Sequence, residues 1–331
     1  MSEVITRDGI LQLVDEWIAA GKRVAGPSQA APRAILYKRL ASSGALLLDG
    51  FLRPRNSIKE FFFPRHEKLY TYRREGKQIG LEGVEVDDRP QLIVAARPCD
   101  AAALPILDHV FNWDYKDEFY NRRRANATVV TLACAAHDES CFCTSVGLGP
   151  ADAKGSDAML IATGDGAFHV RCFTDKGRAL FEGKTQPASV EPAVPPAPEP
   201  KFDLPRITQF VATGFENPLW QSAALSCVGC GACAYTCPTC HCFDIADEGN
   251  AAGGARVKNW DSCQFPFFTL HASGHNPRAN QGQRQRQRIY HKFHIYPQKF
   301  GEVLCTGCGN CTRNCPVDLG VLGVLTQVDH A

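Results

Sequence analysis

The stretch Cys227-Val-Gly-Cys230-Gly-Ala-Cys233-Ala-Tyr-Thr-Cys237-Pro238 returns near the C-terminus as Cys305-Thr-Gly-Cys308-Gly-Asn-Cys311-Thr-Arg-Asn-Cys315-Pro316. Both read Cys-x2-Cys-x2-Cys-x3-Cys-Pro, the spacing that holds cubane 4Fe–4S clusters. Sulfide-rich iron is soft and takes thiolates. Three cysteines two residues apart wrap a tight loop around one cube, and the fourth stands one helical turn on, pointing away. In two-cluster ferredoxins it ligates the other cluster. The expected ligand sets are therefore Cys227, Cys230, Cys233 and Cys315 for one cube, and Cys305, Cys308, Cys311 and Cys237 for the other. Gly229, Gly231, Gly307 and Gly309 allow positive φ and close backbone approach, and Pro238 and Pro316 stop a helix running on. Cys233 and Cys237 lie about 6 Å apart along a helix axis, so two clusters sharing that turn are close enough to exchange electrons. Zinc is served by paired Cys-x2-Cys units rather than a run of four with proline after it, twice, and disulfides need an oxidising compartment.

The composition agrees with a metal role. The chain has 331 residues, 16 cysteines, 44% hydrophobic residues and a formal net charge of +1. Its near-neutral balance argues against nucleic acid or a membrane surface as a general partner. Asp15 and Glu16 interrupt the apolar run of the N-terminus, so it lacks the shape of a signal peptide. No run of eighteen apolar residues predicts a membrane span. Many thiols with no secretion signal predict a reducing cytosol.

The elements that position these residues follow from periodicity. Ile10, Leu11, Val14, Trp17 and Ile18 put an apolar stripe on a helix over residues 7–20. Arg33–Tyr37 and Ala45–Leu48 read as short strands, followed by a polar stretch through Arg74. Gln91–Ala96 is an apolar strand, Arg97-Pro98-Cys99-Asp100 a turn, and Ala101–Phe111 a helix capped by Asp100. Thr128–Ala133 is a second strand, ending at Cys134. Strand, helix, strand predicts a βαβ crossover, which sends Cys99 and Cys134 out of the carboxyl edge, where open α/β sheets bind ligands. With Cys141 and Cys143 following, four thiols converge on a possible third iron–sulfur cluster. The alternative is that they are buried cysteines acting as small hydrophobes. Residues 157–183 read as strand, turn, strand and short helix, with Cys172 in the core.

The segment Gln186–Pro200, QPASVEPAVPPAPEP, is too rich in proline for helix or sheet and reads as an extended linker. The expected organisation is an α/β domain over 1–185, the linker over 186–200, and a dicluster domain over 201–331, whose first helix is Arg206–Phe215. The motifs start 78 residues apart, from Cys227 to Cys305, so helices must fill the gap. Cys240, Cys242 and Cys263 are surplus to eight ligands and read either as packing or as alternative ligands. His241 reads as structural. The segment His271–Arg278 and the basic run Arg284, Arg286, Arg288, His291 and Lys292 read equally as a solvated loop or as cations beside the clusters, where they raise a cluster's potential or dock an acidic partner. No Gly-x-Gly-x-x-Gly after a strand, P-loop or nucleophile triad is present.

Taken together, Arg97-Pro-Cys-Asp100, Cys141-Phe-Cys143-Thr-Ser145, Cys237-Pro-Thr-Cys240, Trp260-Asp-Ser-Cys263, Gly274-His-Asn-Pro-Arg278, His291-Lys-Phe293 and the last cluster motif make the chain resemble the beta subunit of cytosolic NAD(P)-linked nickel–iron hydrogenases, the sulfhydrogenases. It is also similar to the related iron–sulfur subunit of anaerobic sulfite reductase. The resemblance spans roughly residues 90–320. It implies an electron-transfer subunit with two C-terminal 4Fe–4S clusters, not catalytic by itself. Its implied partners are nickel–iron small and large subunits, or a siroheme subunit in their place, together with a flavin-containing NAD(P) diaphorase subunit. The expected fold is α+β: an N-terminal α/β domain with a partly parallel sheet, then a mainly helical ferredoxin-like domain. A catalytic role, reducing a disulfide near Cys240, Cys242 and Cys263, is the reading from another class. The full set of eight regular ligands and the lack of an identifiable general acid speak against it. A purely structural role would need only one cluster.

Overall fold

Two six-residue runs, QLIVAA and ATVVTL, are buried along their whole length, the pattern of strands covered on both faces. They form the centre of the computed structural model, which describes residues 3–87, 89–188, 191–193 and 195–329. In chain order its strands are β1 (Glu3–Thr6), β2 (Arg23–Ala31), β3 (Ala34–Arg39), β4 (His66–Glu75), β5 (Gln78–Gly83), β6 (Gln91–Ala96), β7 (Ala127–Leu132), β8 (Ala158–Ala162), β9 (Ala167–Cys172), β10 (Gln186–Pro187), β11 (Phe243–Asn250) and β12 (Gly253–Trp260). An eight-stranded sheet runs β10-β1-β9-β8-β7-β6-β2-β3. Its β2–β6, β6–β7 and β7–β8 pairs are parallel and the rest antiparallel. The expected βαβ crossover joins β6 to β7.

The helix Arg7–Ala19 covers one face of the sheet with Ile10, Leu13 and Val14. On the other face Phe62, Phe63, Leu104, Leu107 and Tyr120 pack with Ile93 and Val129. Trp260, from the far side of the proline-rich segment, belongs to this second core as well. It arrives with the hairpin β11–β12, which pairs antiparallel with β4 to give a four-stranded sheet β11-β12-β4-β5. Buried Lys258 on β12 lies 2.8 Å from both Glu67 on β4 and Asp117. The Glu67 approach is a charge contact, since neither Glu67 oxygen accepts an aligned hydrogen bond among the described residues. The two halves thus share both a sheet and a core.

Several local expectations change. Ala45–Leu48 is not a strand: Ser43 is held by the Asp15 carboxylate through its backbone N–H at 2.8 Å and its hydroxyl at 2.6 Å, and a 3-10 turn forms at Ser43–Ala45. Asp100 does not cap a helix. It lies inside the short helix Pro98–Ala101, ahead of Ala103–Phe111, and its wholly buried carboxylate accepts from Arg53 and Tyr37 instead. The proline-rich segment, expected to join neither helix nor sheet, does add Gln186–Pro187 to the sheet beside β1; its residues 189, 190 and 194 lie outside the described residues. The interval between the motifs holds the hairpin β11–β12 as well as helix.

A second, mainly helical core surrounds the motifs. Helices Leu204–Thr213, Leu219–Ala223, Gln281–Tyr290 and Val321–Asp329 enclose Ile207, Val211, Trp220, Ile289, Phe293 and Val324, and Cys305 and Cys311 lie in the same cluster.

Candidate iron–sulfur centres

Both motifs adopt the same backbone. The first two glycines after each leading cysteine have positive φ, at 68° and 73° for Gly229 and Gly231 and 62° and 72° for Gly307 and Gly309. A one-turn helix follows in each, Ala232–Tyr235 and Asn310–Arg313. It carries the third cysteine, and the fourth lies just beyond it. At Gly307 the reason for glycine is contact as well as conformation, since a Cβ there would meet the Phe142 carbonyl oxygen at 2.4 Å.

The cysteines surround cavities. Cys227, Cys230, Cys233 and Cys315 line one of about 310 Å³. Cys305, Cys308, Cys311 and Cys237 line a second of about 290 Å³. Each ring thus takes three sulfurs from one motif and one from the other. Among the described residues no three His, Cys, Asp or Glu side chains are set for a single metal ion.

The walls suit an anionic, sulfur-ligated group. Around the first ring, the Gln281 and Gln285 amides donate to Cys227 Sγ at 3.1 and 3.3 Å, and the Leu319 N–H to Cys315 Sγ at 3.2 Å. The Val321 N–H donates to Cys311 Sγ in the second ring at 3.3 Å. Arg288 lines that second cavity. It is buried, and its Nε and Nη2 have no hydrogen-bond partner among the described residues. Its Nη1 donates to Gln285 Oε1 at 3.4 Å, but a buried guanidinium with two nitrogens left unpaired beside four sulfurs is costly unless an anion sits before it. The Thr306 hydroxyl in the same wall is orphaned too.

Lys292 completes the second wall. It lies on a π-helical segment, His291–Ile295, that continues the helix Gln281–Tyr290. The ammonium donates to Leu304 O at 2.9 Å, Thr239 Oγ1 at 3.1 Å and Cys237 Sγ at 3.5 Å. Burial works against its charge, but the sulfurs of Cys237, Cys240 and Cys305 hold Lys292 above the ordinary lysine value. Cys237 is held well below the usual thiol value: the Cys240 thiol donates to it, and Lys292 and Thr239 add to this against the penalty of burial. Of the basic run, then, Arg288 and Lys292 stand beside the sulfurs. Arg286 instead stacks 3.6 Å over the Phe215 ring and pairs with Glu216 at 3.1 Å.

The surplus cysteines behave differently. The Cys240 thiol donates a hydrogen bond to Cys237, and the Cys242 thiol donates one to Cys263, which lowers Cys263 to about 6. His241 is partly buried with its ring against Thr239 O at 3.1 Å, and burial lowers it to about 4. Lys59, which no sequence pattern singles out, is buried beneath this segment. It donates to Cys240 O at 2.8 Å and stands 3.9 Å over the Trp260 ring.

Cys99, Cys134, Cys141 and Cys143 line a third cavity, together with Cys308 of the second ring. Cys172 lies apart from all three, packed against the core on the helix Arg7–Ala19 side of the sheet. Arg53 and Arg313 reach the third cavity's sulfurs without standing out in the sequence. Arg53 donates to Cys99 Sγ and Arg313 to Cys141 Sγ, the latter at 3.0 Å. No spacing rule finds such residues, because folding brings them in from segments 46 and 172 positions away.

Comparison with known proteins agrees with this chemistry. A 4Fe–4S dicluster domain family matches residues 226–319. The Sulfhydrogenase 2 subunit beta of Pyrococcus furiosus is 31% identical over 306 residues, covering 88% of each chain. No solved structure matches. With that identity over nearly the whole length, and two cysteine rings walled by buried cations and amides, the chain belongs to the sulfhydrogenase beta-subunit family of iron–sulfur proteins.

Proposed function

We propose that the chain is the electron relay of a cytosolic multisubunit hydrogenase, passing electrons between a nickel–iron module and a flavin-containing NAD(P) diaphorase subunit. In this reading Cys227, Cys230, Cys233 and Cys315 hold one 4Fe–4S cube and Cys305, Cys308, Cys311 and Cys237 the other. When bound, each cube supplies a one-electron valence change and breaks no substrate bond. The observation that carries the reading is the interlaced pair of rings, each closed by the other motif's fourth cysteine. The chain's own residues do the rest. Arg288 and Lys292 balance negative charge in a buried space, and the Gln281 and Gln285 amides temper the Cys227 sulfur. The helix turns Ala232–Tyr235 and Asn310–Arg313 carry the third cysteine of each motif, and the fourth cysteine beyond each turn lines the other ring.

One end of the relay faces outward. Cys230 is exposed, and Leu225 and Val228 beside it are 86% and 63% exposed. Apolar side chains around a redox centre suit a partner chain that covers them. Among the described residues no helix is long and apolar enough to cross a membrane.

The test is to purify the native complex anaerobically and identify the chains that travel with this one. Co-elution with a flavoprotein and a nickel-containing large subunit is expected. A siroheme protein in place of the nickel subunit would assign the relay to sulfite reduction instead. Isolation as a lone chain that turns over a disulfide with dithionite would overturn the relay itself.

A further inference from the structure

We infer that Cys99, Cys134, Cys141 and Cys143 hold a third iron–sulfur cube, which carries the relay from the second ring onto the carboxyl edge of the parallel strands. The inference rests on the relay reading and extends it beyond the dicluster domain.

The fold builds this site from the sheet. β6 and β7 run parallel and end together, so the residues just after them, Cys99 and Cys134, leave the same edge. Ala95 has a φ of 57°, and the β6–β7 register shifts between Ile93 and Ala96. A bulge of this kind re-aims the end of a strand, here the end that leads into Arg97-Pro98-Cys99. The loop carrying Cys141 and Cys143 is tied down from the other side, where the Phe142 N–H donates to Gly307 O at 2.9 Å. The proline-rich segment closes the top: Thr144 Oγ1 donates to Pro198 O at 2.8 Å, and Pro198 lines the cavity. This gives the end of that segment a reason to lie extended.

Sulfur and charge then select the occupant. Four thiols line this cavity as four line each motif ring, and among the described residues no three of them are set to hold a single metal ion. Buried cysteines used merely as small hydrophobes would be expected among apolar neighbours, but these have three guanidinium groups near them. Arg53 and Arg313 touch Cys99 and Cys141 and have partial counterions in Asp100 and Asp138. Arg97 is different. It is 5% exposed, and its guanidinium donates to carbonyls, those of Phe51, Leu52, Leu132 and Ala133. Among the described residues no carboxylate pairs with it. A buried cation without a counterion is strongly unfavourable, and Arg97 lines this cavity. A cube bearing four thiolates supplies the missing negative charge.

Connectivity supports the assignment. Cys308 lines both this cavity and the second ring, so the second ring stands between the other two. The step between neighbours is the passage of one electron: one centre is oxidised by one as the next is reduced by one, and no proton or leaving group moves.

The experiment is metal analysis of the anaerobically isolated full-length chain, loaded with iron and sulfide. About twelve irons and twelve sulfides per chain are expected, at about four per cube. Cys134→Ser and Cys99→Ser should each fall to about eight while keeping the spectra of the other two centres. About eight irons in the wild-type chain, with or without one zinc, overturns the third cube and leaves the two-ring relay standing; about ten irons means a 2Fe–2S centre and overturns it too. An iron-free chain overturns the relay reading first. The wild-type count decides the matter even if a variant fails to fold.

Discussion

Replacing Cys237 by serine is expected to empty the ring formed by the distant motif, at Cys305, Cys308 and Cys311, while the ring of its own motif stays filled. The reason is geometric. Cys237 follows the one-turn helix Ala232–Tyr235 and lines the cavity with those three cysteines, not the one with Cys227, Cys230 and Cys233. Its sulfur is also the one that Lys292 and Thr239 bind. The single variant loses about four irons. Pairing variants shows which four. Cys237→Ser with Cys308→Ser should lose no more than either alone, because both wreck one cube. Cys237→Ser with Cys230→Ser should lose about eight irons, because the lesions fall on different cubes and add. Metal analysis of the two double variants reads this directly. If the first pair loses about eight and the second about four, the ligands are not interlaced.

Lys292→Met should lower the reduction potential of the centre at Cys237, Cys305, Cys308 and Cys311 and leave the other ring close to its starting value. Adding an electron to a cube adds negative charge, which a nearby cation stabilises, so its loss disfavours reduction. A unit charge about 6 Å away at an effective dielectric of about 20 is worth about 3 kcal/mol, or on the order of 100 mV for one electron. Screening by salt is weak for a side chain only 2% exposed. Arg288→Leu should act differently. Its charge bears on Cys233 of one ring and Cys311 of the other, so both potentials should fall together. Redox titration followed by electron paramagnetic resonance separates these outcomes. An unchanged potential in Lys292→Met would mean that the ammonium serves only to hold Leu304 and Thr239.

Much of the site was legible because ligand spacing is a local property. Cys-x2-Cys-x2-Cys-x3-Cys fixes a loop and one turn of helix before any tertiary contact forms, and the backbone of both copies follows it down to the signs of φ at Gly307 and Gly309. The carboxyl-edge placement of Cys99 and Cys134 was legible too, since two buried apolar strands around a helix leave few other arrangements. The cations were harder. Arg53 and Lys59 are ordinary in sequence and become meaningful only when sulfur or carbonyl groups from distant segments surround them. Asp100 misled for a related reason: an aspartate before an apolar run reads as a cap, but here a buried Arg53 competes for it and wins. The hairpin β11–β12 was invisible as a bridge between the halves because its outer strand is mostly exposed and polar, and a sheet partner far upstream leaves no periodic mark.

The most direct test of the relay is the electron paramagnetic resonance spectrum of the full-length chain, reduced completely under anaerobic conditions. If the two rings hold cubes that interlace through Cys237 and Cys315, the reduced cubes should feel each other's spins. A broadened, interacting spectrum is expected, giving way to simple signals at partial reduction. Independent, sharp signals at full reduction, or a silent protein with zinc in the motif cysteines, would contradict the relay.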